Sequence, residues 1–208
     1  MKIILIRHAE STANADQILA GRLPGIELTE NGHKQAKSLT SLFSTGLFAA
    51  IYSSPMQRCM QTAQIALDSQ SLNIIENDFF LEVDYGSWSG EKISTLANDP
   101  LWSIVQKKPS NAKFPDGESL LNMSQRANKG FESIIQSHKS TDVIAIFSHA
   151  DIIKAIISHQ IGNDFNNYQK LMIDNAKVNI LHFKESEMAL AGMNLPVSDF
   201  TLSLIGKE

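Results

Sequence analysis

Two short apolar runs, far apart in the chain, each end in a histidine. Lys2 to Ile6 leads into Arg7 and His8, and a second run ends at Ser148 and His149. Continuous apolar runs of this length are typical of strands buried on both faces of a parallel sheet. Ligands bind such sheets at the carboxyl ends of the strands, where an imidazole can act as a nucleophile and a guanidinium can hold an anion.

Short apolar segments recur along the chain, with helical segments between them. Strands are predicted at Lys2–Ile6, Ala49–Ser53, Asn73–Glu76, Val143–Phe147, Val178–Phe183 and Met188–Met193. The last two flank a short charged link at 184–187, which predicts an antiparallel hairpin at one edge of the sheet. Strands that alternate with helices predict an α/β fold, a three-layer α/β/α sandwich with a mostly parallel central sheet.

Local signals predict where the helices begin. Thr29 is the predicted N-cap of a helix that carries Ala36, Leu39 and Phe43 on one face, and Ser54-Pro55 predicts the N-cap and first residue of another. A long helix is predicted after 116–119. A further helix is predicted from Ala150 to Ile161, where Gly162 ends it.

The length of 208 residues predicts a single domain, residues 1–208. Val83 to Pro115 has no regular pattern and predicts a short capping insertion over one end of the sheet. The net charge of −4 argues against nucleic-acid and anionic-membrane partners. Cys59 is the only cysteine, which excludes an internal disulfide and a cysteine-based zinc motif. No apolar run approaches a membrane span or a signal-peptide core, so a cytoplasmic location is predicted.

Five residues are predicted to meet at one edge of the sheet. His8 and His149 follow buried strands, Arg7 precedes His8, Arg58 lies in the first turn of a helix, and Glu82 follows another apolar stretch. A phosphoryl group in transfer carries charge on three oxygens, and guanidinium groups are suited to stabilise it. This set of residue types therefore points to phosphoryl transfer.

Around these residues the sequence resembles the histidine phosphatases, also called the phosphoglycerate mutase-like superfamily. The family signature Arg-His-Gly-Glu-Thr corresponds here to Arg7-His8-Ala9-Glu10-Ser11, with Asn14 a few residues on. The further matches follow the family's order to about residue 160 and comprise Gly21-Arg22, Leu28-Thr29, Gly32, Gln35-Ala36, Ser53-Ser54-Pro55, Arg58, Gln61-Thr62-Ala63, Glu82, Gly86, Trp88, Gly90, Gly117-Glu118-Ser119 and Ser148-His149-Ala150. Ala9 and Ala150 replace glycines of the family pattern, and both remain small.

The resemblance implies catalytic roles for the five residues. His8 would attack phosphorus and become a phosphohistidine, while the other histidine, His149, and the two arginines would bind the phosphoryl oxygens. Glu82 would protonate the leaving alkoxide and then accept a proton from water. Asp84, two residues further on, is the alternative acid. The resemblance also implies that Asn14 and Arg22 contact the substrate, and it requires no metal ion or other cofactor.

Three features each have two interpretations. Glu10 either caps the loop after His8 or meets the substrate. Glu118 and Ser119 either cap the long helix or form a rim near the substrate. Trp88 and Trp102 are either core residues of the capping segment or a stacking platform.

The predicted function is a metal-independent phosphomonoesterase acting on a small phosphorylated metabolite. The alternative is a phosphoglycerate mutase, an isomerase that would use the same phosphohistidine. The capping segment 83–115 contains no arginine, whereas the family's glycolytic mutases use paired arginines there, so hydrolysis is favoured. A non-catalytic domain that binds a phosphorylated ligand is the third interpretation. The sequence leaves the substrate and the oligomeric state open.

Overall fold

The computed structural model describes residues 1–68, 70, 72–184 and 187–206. A six-stranded sheet lies at its centre, with the strand order β3-β2-β4-β1-β5-β6. The strands are β1 (Lys2–Arg7), β2 (Phe48–Ser53), β3 (Ile74–Glu76), β4 (Val143–Ser148), β5 (Val178–Lys184) and β6 (Glu187–Leu195). The first four run parallel, whereas β5 pairs antiparallel with β1 and β6 pairs antiparallel with β5.

Helices connect the strands and cover both faces of the sheet. The α-helices are α1 (Thr12–Ala15), α2 (Glu30–Lys37), α3 (Thr40–Phe43), α4 (Gln57–Leu67), α5 (Ile93–Leu96), α6 (Pro100–Lys107), α7 (Leu120–Ser137), α8 (Ala150–Gln160) and α9 (Asp199–Ile205). Short 3₁₀ helices lie at Asp78–Phe80, Gly86–Trp88, Pro109–Asn111 and Phe165–Lys170. None of the described helices combines the length and the apolar character that crossing a bilayer requires.

Successive side chains of β1 pack on opposite faces of the sheet, as strand geometry requires. Ile3 and Leu5 belong to a core cluster that includes buried side chains of α7 and α8. Ile4 and Ile6 belong to a second cluster, which includes buried side chains of α2, α3, α4 and α9. The predicted three-layer α/β/α sandwich with a mostly parallel sheet and an antiparallel edge is therefore confirmed.

The predicted strands and most helix starts agree with the structure. The Thr29 hydroxyl accepts a hydrogen bond from the Gly32 N–H at 2.9 Å, and the Ser119 hydroxyl accepts one from the Asn122 N–H at 3.1 Å, so both residues are N-caps. The β5–β6 hairpin is present. Its predicted link includes residues 185 and 186, which lie outside the described residues, as do residues 207 and 208 of the predicted domain.

The predicted start of α4 is wrong. This helix begins at Gln57, its N-cap position is Met56, and no side chain caps it. The Ser54 hydroxyl is instead hydrogen-bonded to Nε2 of His149 at 2.9 Å. A tertiary contact therefore occupies the group that the sequence assigned to a helix cap.

The helix predicted after Thr29 is divided into α2 and α3. The hydroxyl of Ser38 donates to the carbonyl of Gln35, and the hydroxyl of Thr40 donates to the carbonyl of Lys37. Side-chain hydroxyls that bond nearby carbonyls compete with regular helix hydrogen bonds, and two of them lie where the helix is interrupted. The predicted apolar face survives this interruption, since Ala36, Leu39 and Phe43 are all fully buried in the same core cluster.

The segment from residue 83 to residue 115 folds as α5, α6 and two 3₁₀ helices. Its buried side chains join the α7/α8 core rather than a core of their own. At Gly86, φ is +53°, and a Cβ placed there would overlap the carbonyl oxygen of Pro115. The two ends of the segment therefore meet at a point where only glycine fits.

We predict that Gly86→Ala lowers the free energy of unfolding by about 3 kcal/mol or more, because it adds both a left-handed backbone penalty and a backbone clash. Gly25 is the matched control, since its φ is +73° and a Cβ there would meet nothing within 4 Å. Gly25→Ala should cost about 1 kcal/mol, the left-handed penalty alone. Urea unfolding of both variants measures the difference, and equal losses would contradict the clash.

Candidate active site

The two histidines come together because their strands are neighbours. In the parallel pair formed by β1 and β4, Arg7 lies opposite Ser148. The His8 N–H continues the pairing by donating to the Ser148 carbonyl at 2.9 Å. The two imidazole rings consequently lie edge to face, with centroids 5.3 Å apart. Both histidines are buried, His149 completely.

Arg58, from the first turn of α4, lies between the two imidazoles. Its Nε donates to Nε2 of His8 at 3.3 Å, and its Nη2 contacts Nδ1 of His149 at 3.1 Å. The same Nη2 donates to the carbonyl of Gly21 at 3.0 Å. Arg58 is 2% exposed, and its Nη1 has no hydrogen-bond partner in the described part of the chain.

These contacts assign the protons of both rings. A guanidinium can only donate, so the His8 nitrogen Nε2 accepts and the ring proton lies on Nδ1, which donates to the Ala9 carbonyl at 2.8 Å. By the same argument, His149 accepts at Nδ1 and donates from Nε2 to the Ser54 hydroxyl. The pKa of each histidine is well below the usual value. Burial is the main cause, and the positive charge of Arg58 is the second. Both rings are therefore neutral at neutral pH, and Nε2 of His8 carries an unprotonated lone pair that accepts the hydrogen bond from Arg58.

Glu82 brings a carboxyl group to the same place. Its Oε2 lies 3.7 Å from Nδ1 of His149, which is too long for a hydrogen bond, and its side chain is only 13% exposed. Burial raises the pKa of Glu82 to about 7, and the negative charge of Asp151 contributes to this shift. A carboxyl with this pKa can both give and take a proton near neutrality.

Asp84, the alternative acid, lies in a different environment. Its side chain is 44% exposed and 4.0 Å from Arg22. One of its oxygens accepts from the Gly86 N–H at 3.1 Å, which ties it to the turn of the capping segment. Asp84 does not line the cavity, whereas Glu82 does. The geometry therefore favours Glu82 as the proton donor.

Arg7 and Asn14 also line the cavity. Arg7 donates from Nη1 to the carbonyl of Ile173 at 2.7 Å, and its Nε is buried without a partner in the described residues. The Asn14 side chain completes a capping box with Ser11 at the start of α1, and its oxygen also accepts from Asn175. Asn14 therefore has a structural role as well as a position at the cavity wall.

Arg22 is not among the residues that line the cavity. Its Nε donates to the backbone carbonyl of Glu82 at 2.8 Å, and its Nη2 donates to Glu118 at 2.9 Å. Glu118 also accepts from Arg126 at 2.9 Å and from the N–H of Asp84. This network holds the backbone that follows the 3₁₀ helix at Asp78–Phe80 and carries Glu82, so Arg22 helps to position Glu82.

The contacts of Glu10, of Glu118 and Ser119, and of the two tryptophans bear on the two interpretations that the sequence left open for each. Glu10 accepts from the Thr29 hydroxyl at 2.6 Å and from the Asn31 amide at 3.1 Å, so it ties the loop after β1 to the start of α2. Ser119 is a helix cap and Glu118 is the centre of the arginine network. Trp88 and Trp102 are packed in the capping segment and also line the cavity.

The cavity in front of these groups has a volume of about 460 Å³. Its inner end is formed by the charged and polar groups just described, and its outer walls are largely apolar. The outer walls include Leu19, Trp88, Ile93, Trp102, Val105, Phe114, Leu171, Met172 and Ile173. Asp151, Lys154 and Gln169 form a polar patch on the same surface.

Several functional contacts were not predicted from the sequence. The Thr62 hydroxyl accepts from the Ala9 N–H at 3.0 Å and donates to the Arg58 carbonyl, which fixes the loop after β1 against α4. The Tyr85 hydroxyl donates to Asp151 at 2.8 Å. Thr62 lies in the family motif Gln61-Thr62-Ala63, but the motif does not indicate that Thr62 bonds the Ala9 N–H. The position of Asp151 could have indicated its place at the site, because it lies in the first turn of the helix that follows β4, two residues after His149.

The sequence matches the histidine phosphatase superfamily (branch 1) over residues 3–196. A match of this extent covers nearly all of the elements that position the site, including every strand of the sheet. The chain belongs to the histidine phosphatase superfamily. It is a phosphomonoesterase of the histidine phosphatase type.

Curated relatives of the chain include enzymes of two kinds. Phosphoserine phosphatase 1 from Hydrogenobacter thermophilus is 30% identical over 201 residues, which cover 94% of this chain and 92% of that protein. A 2,3-bisphosphoglycerate-dependent phosphoglycerate mutase from Thermoplasma acidophilum is 29% identical over 185 residues, which cover 87% of each protein.

Solved structures resemble the whole chain. A phosphoserine phosphatase from Entamoeba histolytica, a histidine-to-alanine mutant in complex with phosphoserine, aligns with a TM-score of 0.80 and 27% identity over 93% of this chain and 96% of that chain. A putative alpha-ribazole-5'-P phosphatase from Escherichia coli aligns with a TM-score of 0.85 and 23% identity over 95% and 99% of the two chains, a likeness of fold.

We predict that Ser54→Ala lowers kcat for phosphomonoester hydrolysis about tenfold, because the His149 ring loses the partner that orients it. The buried hydrogen bond should also cost about 1–2 kcal/mol of stability. Ser53→Ala is the matched control, since the Ser53 hydroxyl is equally buried but donates to a backbone carbonyl. Steady-state kinetics and urea unfolding separate the two effects. Equal kcat values in the two variants would show that the Ser54 contact is structural only.

Proposed function

We propose that this protein is a metal-independent phosphomonoester hydrolase that works through a phosphohistidine on His8. The observation that carries the proposal is the position of Arg58, which donates to Nε2 of His8 while its Nη1 has no partner among the described residues. A buried cation beside an unprotonated imidazole suits an anion that the imidazole attacks. The guanidinium groups of Arg58 and Arg7 supply positive charge at the developing oxyanions, and the proposal needs no bound metal ion to do so.

The first half of the reaction transfers the phosphoryl group. The lone pair on Nε2 of His8 forms a bond to phosphorus, and the bond from phosphorus to the ester oxygen breaks. The electron pair of that bond stays on the oxygen, which takes the proton of the Glu82 carboxyl and leaves as an alcohol. Nδ1 keeps its proton and its hydrogen bond to the Ala9 carbonyl throughout, which holds the ring in place.

The second half returns the enzyme to its starting state. The Glu82 carboxylate takes a proton from a water molecule as the water oxygen bonds to phosphorus. The bond between phosphorus and nitrogen breaks, its electron pair returns to Nε2, and inorganic phosphate leaves. The pKa of about 7 at Glu82 suits both halves, since one needs the acid and the other needs the base.

Hydrolysis is favoured over isomerisation by the charges around the cavity. A phosphoglycerate mutase must hold a substrate carboxylate while it returns the phosphoryl group to a second hydroxyl. The capping segment has no arginine, and the lining cations in the described chain are Arg7, Arg58 and Lys154. The first two are next to His8, and Lys154 is paired with Asp151 at 3.4 Å.

A small phosphorylated metabolite is the proposed class of substrate. The cavity volume of about 460 Å³ suits a small ligand rather than a protein surface. The names of relatives agree with this class, since the Hydrogenobacter protein is a phosphoserine phosphatase and a relative from Triticum aestivum is a 2-carboxy-D-arabinitol-1-phosphatase.

We predict that His8→Ala abolishes phosphate release, with a loss of at least about 1,000-fold in kcat, because no other nucleophile replaces the imidazole. His159→Ala is the control: this residue lies on α8 with a 57% exposed side chain, and it should retain the wild-type rate. Quenching with alkali after addition of ³²P-labelled substrate should trap label on the wild type only, and that label should be stable in base and lost in acid. Full activity in His8→Ala would overturn the proposed nucleophile.

The same protein sample should be assayed for interconversion of 3- and 2-phosphoglycerate. Phosphate release faster than interconversion supports the hydrolase. Interconversion that exceeds hydrolysis would instead identify an isomerase with the same phosphohistidine.

We predict that kcat/KM falls as pH rises through about 7. Glu82 must be protonated to serve as the acid, and its pKa is raised to about 7, so the protonated fraction is lost above that pH. Glu82→Gln should lower kcat about 100-fold or more and remove this pH dependence. Asp84→Asn should keep the wild-type profile. A profile that follows Asp84 instead would reverse the assignment.

A further inference from the structure

We propose that the alcohol part of the substrate is an uncharged, apolar group that contains a ring, and that the cavity disfavours a second negative charge on the substrate. This inference rests on the proposed hydrolase and narrows its substrate class. It differs from the expectation that the names of phosphoserine and phosphoglycerate relatives would give. The evidence is the arrangement of aromatic side chains and of paired charges around the cavity.

The aromatic side chains form a continuous surface that begins beside the proton donor. The hydroxyl of Tyr85 bonds Asp151, whose charge acts on Glu82. From there the ring contacts run outward: Tyr85 to Phe114 at 4.9 Å between centroids, Phe114 to Trp88 at 5.3 Å and Trp88 to Trp102 at 6.2 Å. All four side chains line the cavity.

This surface lies where the leaving group must lie. The ester oxygen takes its proton from Glu82, so the alcohol extends from Glu82 into the remaining part of the cavity. Ile93 and Met172 lie at the cavity wall with 39% and 71% of their surface exposed, so this part of the wall is open to contact with a ligand. Apolar contact is therefore an interaction that this wall offers to the alcohol.

The cations of the cavity are already engaged. Arg58 and Arg7 serve the phosphoryl group in the proposed mechanism. Lys154 lies 3.4 Å from Asp151, donates to Gln169 at 3.0 Å and lies over the Tyr168 ring at 5.9 Å. Arg22, which is close in sequence to the lining residues, is bound to Glu118. A substrate carboxylate would have to displace one of these contacts.

The acidic groups of the lining reinforce this selection. Asp151 and Asp174 line the cavity together with Glu82. A carboxylate on the substrate would therefore approach like charges, and among the described lining residues the cations beyond the phosphoryl site are already paired. A neutral apolar alcohol neither displaces a paired cation nor approaches a like charge, and its binding is favoured by removal of its apolar surface from water.

The test compares three phosphomonoesters on the wild-type protein. Benzyl phosphate and ethyl phosphate both release a primary alcohol and differ in the ring, and phosphoserine adds charged groups to a primary alcohol. We expect kcat/KM for benzyl phosphate to exceed that for ethyl phosphate about tenfold or more, from burial of the ring. We expect phosphoserine to be hydrolysed less efficiently than benzyl phosphate.

Variants assign the preference to the surface. Trp102→Ala should lower the ratio of kcat/KM for benzyl phosphate to that for ethyl phosphate about tenfold. Ile104→Ala is the matched control, since it lies on the same helix, α6, is 40% exposed and does not line the cavity. It should keep the wild-type ratio.

A second variant does not depend on a buried side chain. Met172→Arg places an unpaired cation at an exposed wall position and should raise kcat/KM for phosphoserine relative to benzyl phosphate.

The outcomes separate this inference from the proposed function. Efficient hydrolysis of phosphoserine, equal to or above that of benzyl phosphate, would overturn the inference while supporting the hydrolase. A benzyl-to-ethyl ratio near one, or one that Trp102→Ala leaves unchanged, would also overturn it, as would a phosphoserine-to-benzyl ratio that Met172→Arg leaves unchanged. Phosphate release from none of the three esters would overturn the hydrolase itself, and this inference with it.

Discussion

The buried guanidinium of Arg58 is the group on which the site depends. It contacts both imidazoles, and its charge helps to keep both of them unprotonated. A charge that is 2% exposed is costly unless polar groups surround it, and here the carbonyl of Gly21 and the two ring nitrogens do so. The same charge that suits an anion thus also adds to the effect of burial in keeping the residue that would attack it unprotonated.

Glu82 and Asp84 show how the surroundings give two similar carboxyl groups different properties. Both follow the 3₁₀ helix at Asp78–Phe80, but Glu82 is buried beside His149 and Asp84 is half exposed beside Arg22. Burial raises the pKa of Glu82 toward neutrality, which a general acid requires. The network around Glu118 holds the backbone that makes this difference possible.

The sequence was sufficient to predict the sheet and the placement of His8, His149 and Arg58, because strand ends in a parallel sheet occupy one edge. It was insufficient where a side chain has several possible partners. Ser54 had the pattern of a helix cap, but its hydroxyl bonds His149. Arg22 matches a motif that implies substrate contact, and the sequence does not show that its Nη2 donates to Glu118. Both choices depend on residues distant in sequence, and no local pattern contains that information.

The pairing of β1 with β4 has one more consequence. The distance between the two imidazoles is set by main-chain hydrogen bonds in the middle of the sheet, with Arg7 opposite Ser148. The capping segment, residues 83–115, lies between these two strands in the sequence and takes no part in their pairing. Insertions, deletions and substitutions in the capping segment can therefore change which substrates are accepted, while the distance between the two imidazoles stays the same. Specificity in this architecture can diverge independently of chemistry.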